Sequence, residues 1–295
     1  MSFSMIGRRK TMEDEHGCFQ FDTNNGRHTV LLYAVWDGHG GALVSARLKE
    51  LLPQAICECL SPLKSFTLYN VRTALRDAHK QVHEQLFEEG AKQYDDMGST
   101  SCVVIYIPTA NRLFCANVGD SRAVLYIDNT ECESTSVTNK CIEISPLSID
   151  HKPDEPFEAE RLKELEADVH STSGEESTMR LWYGTTGLSM SRAFGDFSGV
   201  PYITASPDIC MYHLRPGQFG FVVVACDGLW DVLNNRDVYN VFAEKQPESG
   251  CAAAKLLCRK AFNKGSGDNI TVVVFPLAYL PRNAIDSEIN NVTFE

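Results

Sequence analysis

What the 295 residues lack narrows the field first. No apolar stretch approaches the roughly 18 residues of a membrane span, and no apolar leader follows Met1, so no membrane partner is expected. Basic excess is missing too. Twenty-seven Lys and Arg face 39 Asp and Glu, a net charge of −12, and a nucleic-acid binder needs a basic face to displace counterions. The 11 cysteines are odd in number and form no C-x-x-C pair. Several sit inside apolar runs (Cys102, Cys115, Cys226), which fits a reducing compartment, cytoplasm or nucleus, better than a disulfide scaffold. None has Arg six positions later, which excludes the cysteine nucleophile loop that cradles phosphate. There is no His or Cys cluster with zinc spacing and no internal repeat.

What is present is a pattern at the ends of apolar runs. Val30 to Trp36 stops at Asp37-Gly38-His39-Gly40-Gly41, Phe221 to Cys226 stops at Asp227-Gly228, and Ile270 to Phe275 comes after Asp268-Asn269. Runs this apolar read as strands buried on both faces, so three carboxylates stand at the lips of buried sheets. No Lys or Arg lies within two positions of any of them. Two carboxylates about 5 Å apart repel by roughly 3 kcal/mol at an effective dielectric near 20. Gathering several would strain a domain whose whole stability is about 5–15 kcal/mol. If they gather, divalent cations hold them, and an all-oxygen set favours Mg²⁺ or Mn²⁺ over zinc.

Further apolar runs predict strands near 3–6 and at 101–107, 112–118, 122–127 and 219–226. The close succession from 101 to 127 predicts an antiparallel meander. Helices are expected at 41–60, 68–89, 155–166, 237–245 and 251–262, with Pro53 kinking the first or ending it early. Residues 128–141 read as an excursion loop. The Ser/Thr/Glu/Gly-rich stretch 167–187 reads as a mobile loop or small subdomain.

Each motif also has a plainer reading. Asp-Gly marks hairpin turns, although neither Asp37 nor Asp227 leads into a returning strand of matching length. Gly119-Asp120-Ser121-Arg122 between two strands reads as a tight hairpin turn, Met12-Glu13-Asp14-Glu15 as an exposed acidic patch, and Arg8-Arg9-Lys10 as surface charge. Arg9 is the nearest candidate for a phosphate clamp, because a guanidinium matches phosphate bidentately. His39 is either a proton donor to a leaving group or a helix cap.

In order, the strings Gly7-Arg8-Arg9-Lys10-Thr11-Met12-Glu13-Asp14, Val35-Trp36-Asp37-Gly38-His39-Gly40-Gly41, Gly98-Ser99-Thr100, Asn117-Val118-Gly119-Asp120-Ser121-Arg122-Ala123 and Asp150-His151-Lys152-Pro153 occur, then Leu188 to Asp196, Ala225 to Val232 and Gly267 to Val272. Together they resemble the metal-dependent protein serine/threonine phosphatases of the protein phosphatase 2C type. The resemblance implies an α+β fold, a four-layer α-β-β-α sandwich of two mainly antiparallel sheets with a metal cleft at one edge. It implies one catalytic domain over residues 1–280, a flap subdomain at about 154–187 and a frayed tail at 281–295.

The same resemblance implies two Mg²⁺ or Mn²⁺ ions bridged by Asp37. Asp227 and Asp268 would complete one and the Gly38 carbonyl would ligate the other, with Glu13 and Asp14 acting through bound waters. Thr100 and Asn269 would support the ligands, and Asp120 with Asp231 would mark a weaker third site. Arg9 would bind phosphate and His39 would be the general acid. The implied reaction is hydrolysis of phosphoserine and phosphothreonine by a metal-bridged water without a phosphoenzyme, on phosphorylated protein partners, by a monomer. A catalytically silent relative that acts by binding is the alternative; it would show a lost metal carboxylate, and none is missing. The chain departs from the pattern at Trp36, where Phe or Tyr is usual, and at 166–187, which lacks Gly-Gly-Val. The 128–141 loop is also longer than usual.

Overall fold

The alternation of side chains along the apolar strands decides how they stack. A computed structural model describes residues 1–23, 26–128, 142–171 and 178–278. From the N-terminus, β1 (Ser2–Met5), β2 (Glu15–Asp22) and β3 (Thr29–Trp36) precede the helices α1 (Leu43–Leu60) and α2 (Leu68–Gly90). Four strands come next: β4 (Ser101–Ile107), β5 (Arg112–Val118), β6 (Arg122–Asp128) and β7 (Ile142–Pro146). Helix α3 (Pro156–Glu164) leads into the short strands β8 (Asp168–Ser171), β9 (Met179–Tyr183) and β10 (Thr186–Leu188). The chain ends through β11 (Asp208–His213), β12 (Phe219–Ala225), α4 (Asn235–Lys245), α5 (Gly250–Asn263) and β13 (Ile270–Ala278).

Two five-stranded antiparallel sheets result, in the orders β1-β13-β12-β6-β7 and β11-β5-β4-β3-β2. In β3, Leu32, Ala34 and Trp36 pack towards α1 and α2, whereas Tyr33 and Val35 face the other sheet. In β12, Val222 and Val224 face inward while Val223 and Ala225 turn to α4 and α5. A strand whose two faces are both covered reads as a continuous apolar run, which is why these strands stood out. Three apolar layers thus bind four structural layers, helix, sheet, sheet and helix, as expected. Among the described residues no helix is long and apolar enough to cross a membrane.

The helices begin where the sequence supplies caps. Thr67 Oγ1 accepts from the Asn70 amide at 3.2 Å, Asn234 and Asp237 form a reciprocal capping box, and Ser249 Oγ accepts from the Ala252 amide. Pro53 does not end α1 early, contrary to that expectation. It lies buried inside the helix, and the buried stripe of Leu48, Leu52, Ile56 and Leu60 carries the helix through the missing hydrogen bond.

The expected meander over 101–127 is corrected. β4 and β5 pair, but β6 leaves for the other sheet and pairs β12. Gly119-Asp120-Ser121 is therefore a corner between sheets and not a hairpin turn. Gly119 adopts φ +93°, and a Cβ there would lie 2.6 Å from the Thr100 side chain and 3.2 Å from the Arg192 carbonyl, so only glycine fits. In the two five-stranded sheets three strands were not foreseen: β2, β7 and β11. All are edge strands, partly exposed and mixed in polarity, so no apolar run announces them. The stretch at 167–187 forms a small three-stranded sheet, β8-β9-β10, where it is described. It has its own core of Leu162, Leu181, Tyr183, Met190, Ala193 and Ile203. The loop expected at 128–141, apart from Asp128, and the tail at 281–295 lie outside the described residues.

Candidate active site

Three strand ends meet at one edge of the sandwich. Asp37 follows β3 in one sheet, while Asp227 follows β12 and Asp268 precedes β13 in the other. They line one cleft of about 220 Å³ together with Arg9, Glu13, Gly38, His39 and Asn269. Eight of the residues singled out from sequence therefore line one cleft. Asp14 and Thr100 lie beneath the cleft and are buried. Asp120 and Asp231 stand to the side with Lys152, whose Nζ is 3.9 Å from Asp120 Oδ2 and 3.3 Å from Asp231 Oδ1.

Backbone and side-chain bonds fix each acid. The Asp37 amide donates to Thr100 Oγ1 at 3.0 Å, and the Thr100 amide donates back to the Asp37 carbonyl at 2.9 Å. Thr100 Oγ1 is held in turn by Ser121 Oγ at 2.7 Å, so the corner between the sheets braces the first acid. Gly38 must be glycine for a different reason: a Cβ would meet the Glu13 carbonyl oxygen at 2.4 Å. Asn269 lashes the N-terminal segment to β13. Its Nδ2 donates to the carbonyls of Ile6 and Thr11 at 2.9 Å, and its Oδ1 accepts from the Glu13 amide at 2.9 Å. Glu13 is held by Thr11 Oγ1 and the Gly41 amide, and Arg9 Nη2 reaches Asp268 Oδ2 at 2.6 Å.

The electrostatics are those of crowded acids. Burial, then the charges of Asp227, Asp14, Asp120 and Asp268, push the Asp37 carboxyl well above its usual range. Burial and neighbouring acids do the same to Asp227. Burial raises Asp14 to about 6; burial also raises Asp120 to about 6, although Lys152 pulls against it. Asp14, Asp37 and Cys226 present ligand atoms within 4.8 Å of one another. Among the described residues, Asp14 Oδ2 and both Asp120 oxygens find no hydrogen-bond partner in another residue. Buried carboxylate oxygens without donors, among cleft acids that outnumber the nearby cations, fit hard divalent ions.

His39 does not cap the helix that follows, since the N-cap of α1 is Ala42 and no side-chain bond caps it. The His39 Nε2 lies 2.7 Å from Asp196 Oδ2, and Asp196 Oδ1 accepts from the Tyr183 hydroxyl at 3.2 Å. Burial alone would lower the imidazole pKa, but the Asp196 charge and hydrogen bond outweigh it and raise the pKa. Nδ1 has no partner among the described residues. Sequence reasoning attached no role to Asp196, Tyr183 or Cys226. Asp196 and Cys226 could have been found, since they lie inside the strings ending at Asp196 and running from Ala225 to Val232; Tyr183 had no such signal. The cleft also takes Arg180, Leu188, Ser189 and Met190 from the flap.

Comparison with known proteins matches this arrangement. The family model for protein phosphatase 2C covers residues 1–270. The chain belongs to the protein phosphatase 2C family. "Probable protein phosphatase 2C 59" of Arabidopsis thaliana is 32% identical over 297 residues, covering 99% of this chain and 84% of its own. "Protein phosphatase 1L" of Bos taurus is 30% identical over 279 residues, covering 92% and 70%. The chain spans only 49% of the rice relative "Probable protein phosphatase 2C 52", which is 32% identical over 272 residues and covers 92% of this chain. Among solved structures, a serine-threonine phosphatase 2C from Toxoplasma gondii gives a TM-score of 0.74 at 20% identity, covering 92% of each chain. A C. elegans sex determining protein gives 0.76 at 24% identity, covering 96% of this chain and 65% of its own. At such identities the structures speak to the protein phosphatase 2C fold alone.

Proposed function

We propose that this protein phosphatase 2C family member hydrolyses phosphoserine and phosphothreonine in proteins, acting as a monomer in the cytoplasm or nucleus. The observation that carries the reading is the convergence of Asp37, Asp227 and Asp268 from two sheets on a cleft that Arg9 also enters. Asp37, Asp227, Asp268 and the Gly38 carbonyl would hold two Mg²⁺ or Mn²⁺ ions, with Glu13 and Asp14 accepting hydrogen bonds from surrounding water. Asp120 and Asp231 would hold a third ion more weakly, because Lys152 already neutralises part of their charge. When bound, such ions supply an acidified water for in-line attack on phosphorus without a phosphoenzyme, and they neutralise phosphoryl charge.

The protein's own groups do the rest. Arg9, with its side chain 60% exposed, can swing between Asp268 and a phosphoryl oxygen pair. Asp196 holds His39 through Nε2 and raises its pKa, which favours the protonated imidazole as the donor for the departing alkoxide. Thr100 and Asn269 hold the acids' backbone in place. Mn²⁺-dependent release of phosphate from phosphothreonine and phosphoserine peptides tests the reading. Retained Mn²⁺ binding with no release would instead identify a silent binding protein.

Arg9→Ala should lower kcat/KM on a phosphopeptide about 10- to 100-fold, the worth of a charge-assisted hydrogen bond to a buried-site anion. Steady-state kinetics check this, and a value within about twofold of wild type would contradict the phosphate role.

Mn²⁺ at about 100 times its Kd should stabilise the fold by about 2.7 kcal/mol, or about 5 °C in Tm. In chelator, the raised carboxyls bind more protons in the native than in the unfolded state between about pH 4 and the pKa of about 6 shared by Asp14 and Asp120. Native stability therefore falls as pH rises through that window and beyond it for Asp37 and Asp227. Melting curves in chelator at pH 5 and 7.5 should show the drop, and Mn²⁺ should remove it.

A further inference from the structure

Resting on the phosphatase reading above, we infer that Arg180 is a specificity-determining residue: it recognises a second anionic group on the substrate beside the phosphoresidue. Strand β9 of the flap alternates. Leu181 and Tyr183 pack into the flap core, while Arg180 and Trp182 take the other face. Arg180 also lines the cleft that holds Asp37, Asp227 and Arg9.

Its pairing matters at this cleft. Of the half-buried arginines elsewhere, Arg122, Arg161 and Arg192 each meet a carboxylate and Arg112 bonds the Phe66 carbonyl, while Arg9, the other arginine lining the cleft, meets Asp268. Among the described residues Arg180 meets no carboxylate, in a chain where acids outnumber bases 39 to 27. A single bond anchors it, from Nη1 to the Gly187 carbonyl at 2.7 Å. That bond ties the guanidinium to β10, whose Leu188 lines the cleft as well. A guanidinium carries five N–H donors in a fixed plane, so donors remain for an incoming anion.

The mount is rigid. Trp182 stacks on His170 with ring centroids 5.1 Å apart and an 8° interplanar angle, and its Nε1 donates to the His170 carbonyl at 3.3 Å. His170 is the register partner of Arg180 across β8 and β9. The residue therefore presents a preformed cationic fork at the wall of the cleft, and Arg9 alone cannot serve both the phosphoryl group and a flanking charge. The matching chemistry is a carboxylate or a second phosphate on a residue next to the scissile phosphate.

The test uses the full chain with Mn²⁺ and three phosphothreonine peptides that differ only in flanking residues: glutamine, glutamate or phosphoserine. Rates are normalised to turnover of a small aryl phosphate by the same preparation. Wild type should prefer both anionic peptides about 10-fold in kcat/KM, through KM, as expected for one charged hydrogen-bonded contact. Arg180→Gln should abolish that preference, and Arg180→Lys should retain part of it. Preference for phosphoserine over glutamate would identify a phosphate as the favoured group, and the reverse a carboxylate.

Equal use of all three peptides by wild type, or an unchanged preference in Arg180→Gln, overturns the inference. Should wild type turn over nothing, the phosphatase reading fails by itself. Fluorescence anisotropy of the same peptides then decides the role of Arg180: charge-dependent binding lost in Arg180→Gln supports it, and equal binding sinks it.

Discussion

Asp37→Asn should reduce Mn²⁺-dependent phosphate release by on the order of 1000-fold, the upper range for losing one preorganised electrostatic contact. The variant should nevertheless fold. Asn keeps the shape of the side chain and the Thr100 clasp on the backbone, which involves only the amide and carbonyl of residue 37. It also removes an acid whose ionisation burial and its neighbours disfavour. Within 4.8 Å and at an effective dielectric near 20, repulsion between two ionised acids is worth at least about 3 kcal/mol. In chelator, Asp37→Asn should therefore melt no lower than wild type, while its Mn²⁺-induced rise in Tm should shrink or vanish. Kinetics and melting curves on one preparation separate the two effects. Normal turnover would refute the metal role, and a collapsed apo Tm would mean that Asp37 is structural.

Glu158→Ala should cost about 3–5 kcal/mol of stability, the range for stripping one partner from a buried ion network. Glu158 is 1% exposed on α3 and meets two arginines and a serine. Oε1 accepts from Arg192 Nη2 at 2.5 Å, while Oε2 accepts from Arg161 Nη2 at 2.7 Å and Ser191 Oγ at 2.6 Å. Arg192 continues to Asp208 Oδ1 at 3.0 Å, and His151 Nε2 lies 3.2 Å from Asp208 Oδ2. The network thus ties the flap helix to the segment that carries Ser189 and Met190 into the cleft.

Burial alone would raise the Glu158 carboxyl, yet the bonds from Arg192, Arg161 and Ser191 hold it at about 2. A depressed acid contributes stability that is complete above its unfolded pKa of about 4.3. That contribution fades as pH falls towards 2. Denaturant titration should find the deficit of Glu158→Ala full at pH 7 and smaller near pH 2.5. A loss under about 1 kcal/mol at pH 7 would show the network to be dispensable.

The centre of this fold was readable because burial on both faces writes a plain signal. β3, β12 and β13 are near-unbroken apolar runs, and the acids at their ends were visible as interruptions. The edges were not. β2, β7 and β11 show water one face and the core another, so their mixed composition passes for loop. The corner at Gly119 misled for a related reason, since a short Gly-Asp link suits a hairpin or a change of sheet, and tertiary packing decides between them. In the cleft, the strings named the residues, but which of them meet on folding could not be read from them. Asp196 reaches His39 across 157 positions, and Cys226 approaches Asp14 and Asp37 only once the sheets stack.

Because Asp37 hangs from one sheet and Asp227 and Asp268 from the other, the spacing of the cleft is set by what fills the gap between them. Tyr33 of β3 stacks on Phe275 of β13 at 3.7 Å between ring centroids and an 8° angle, acting as a shim in that gap. Trimming this aromatic pair would do more than loosen the interior. It would detune the distance between the acids, so a packing change well away from the chemistry would register first as altered cation affinity.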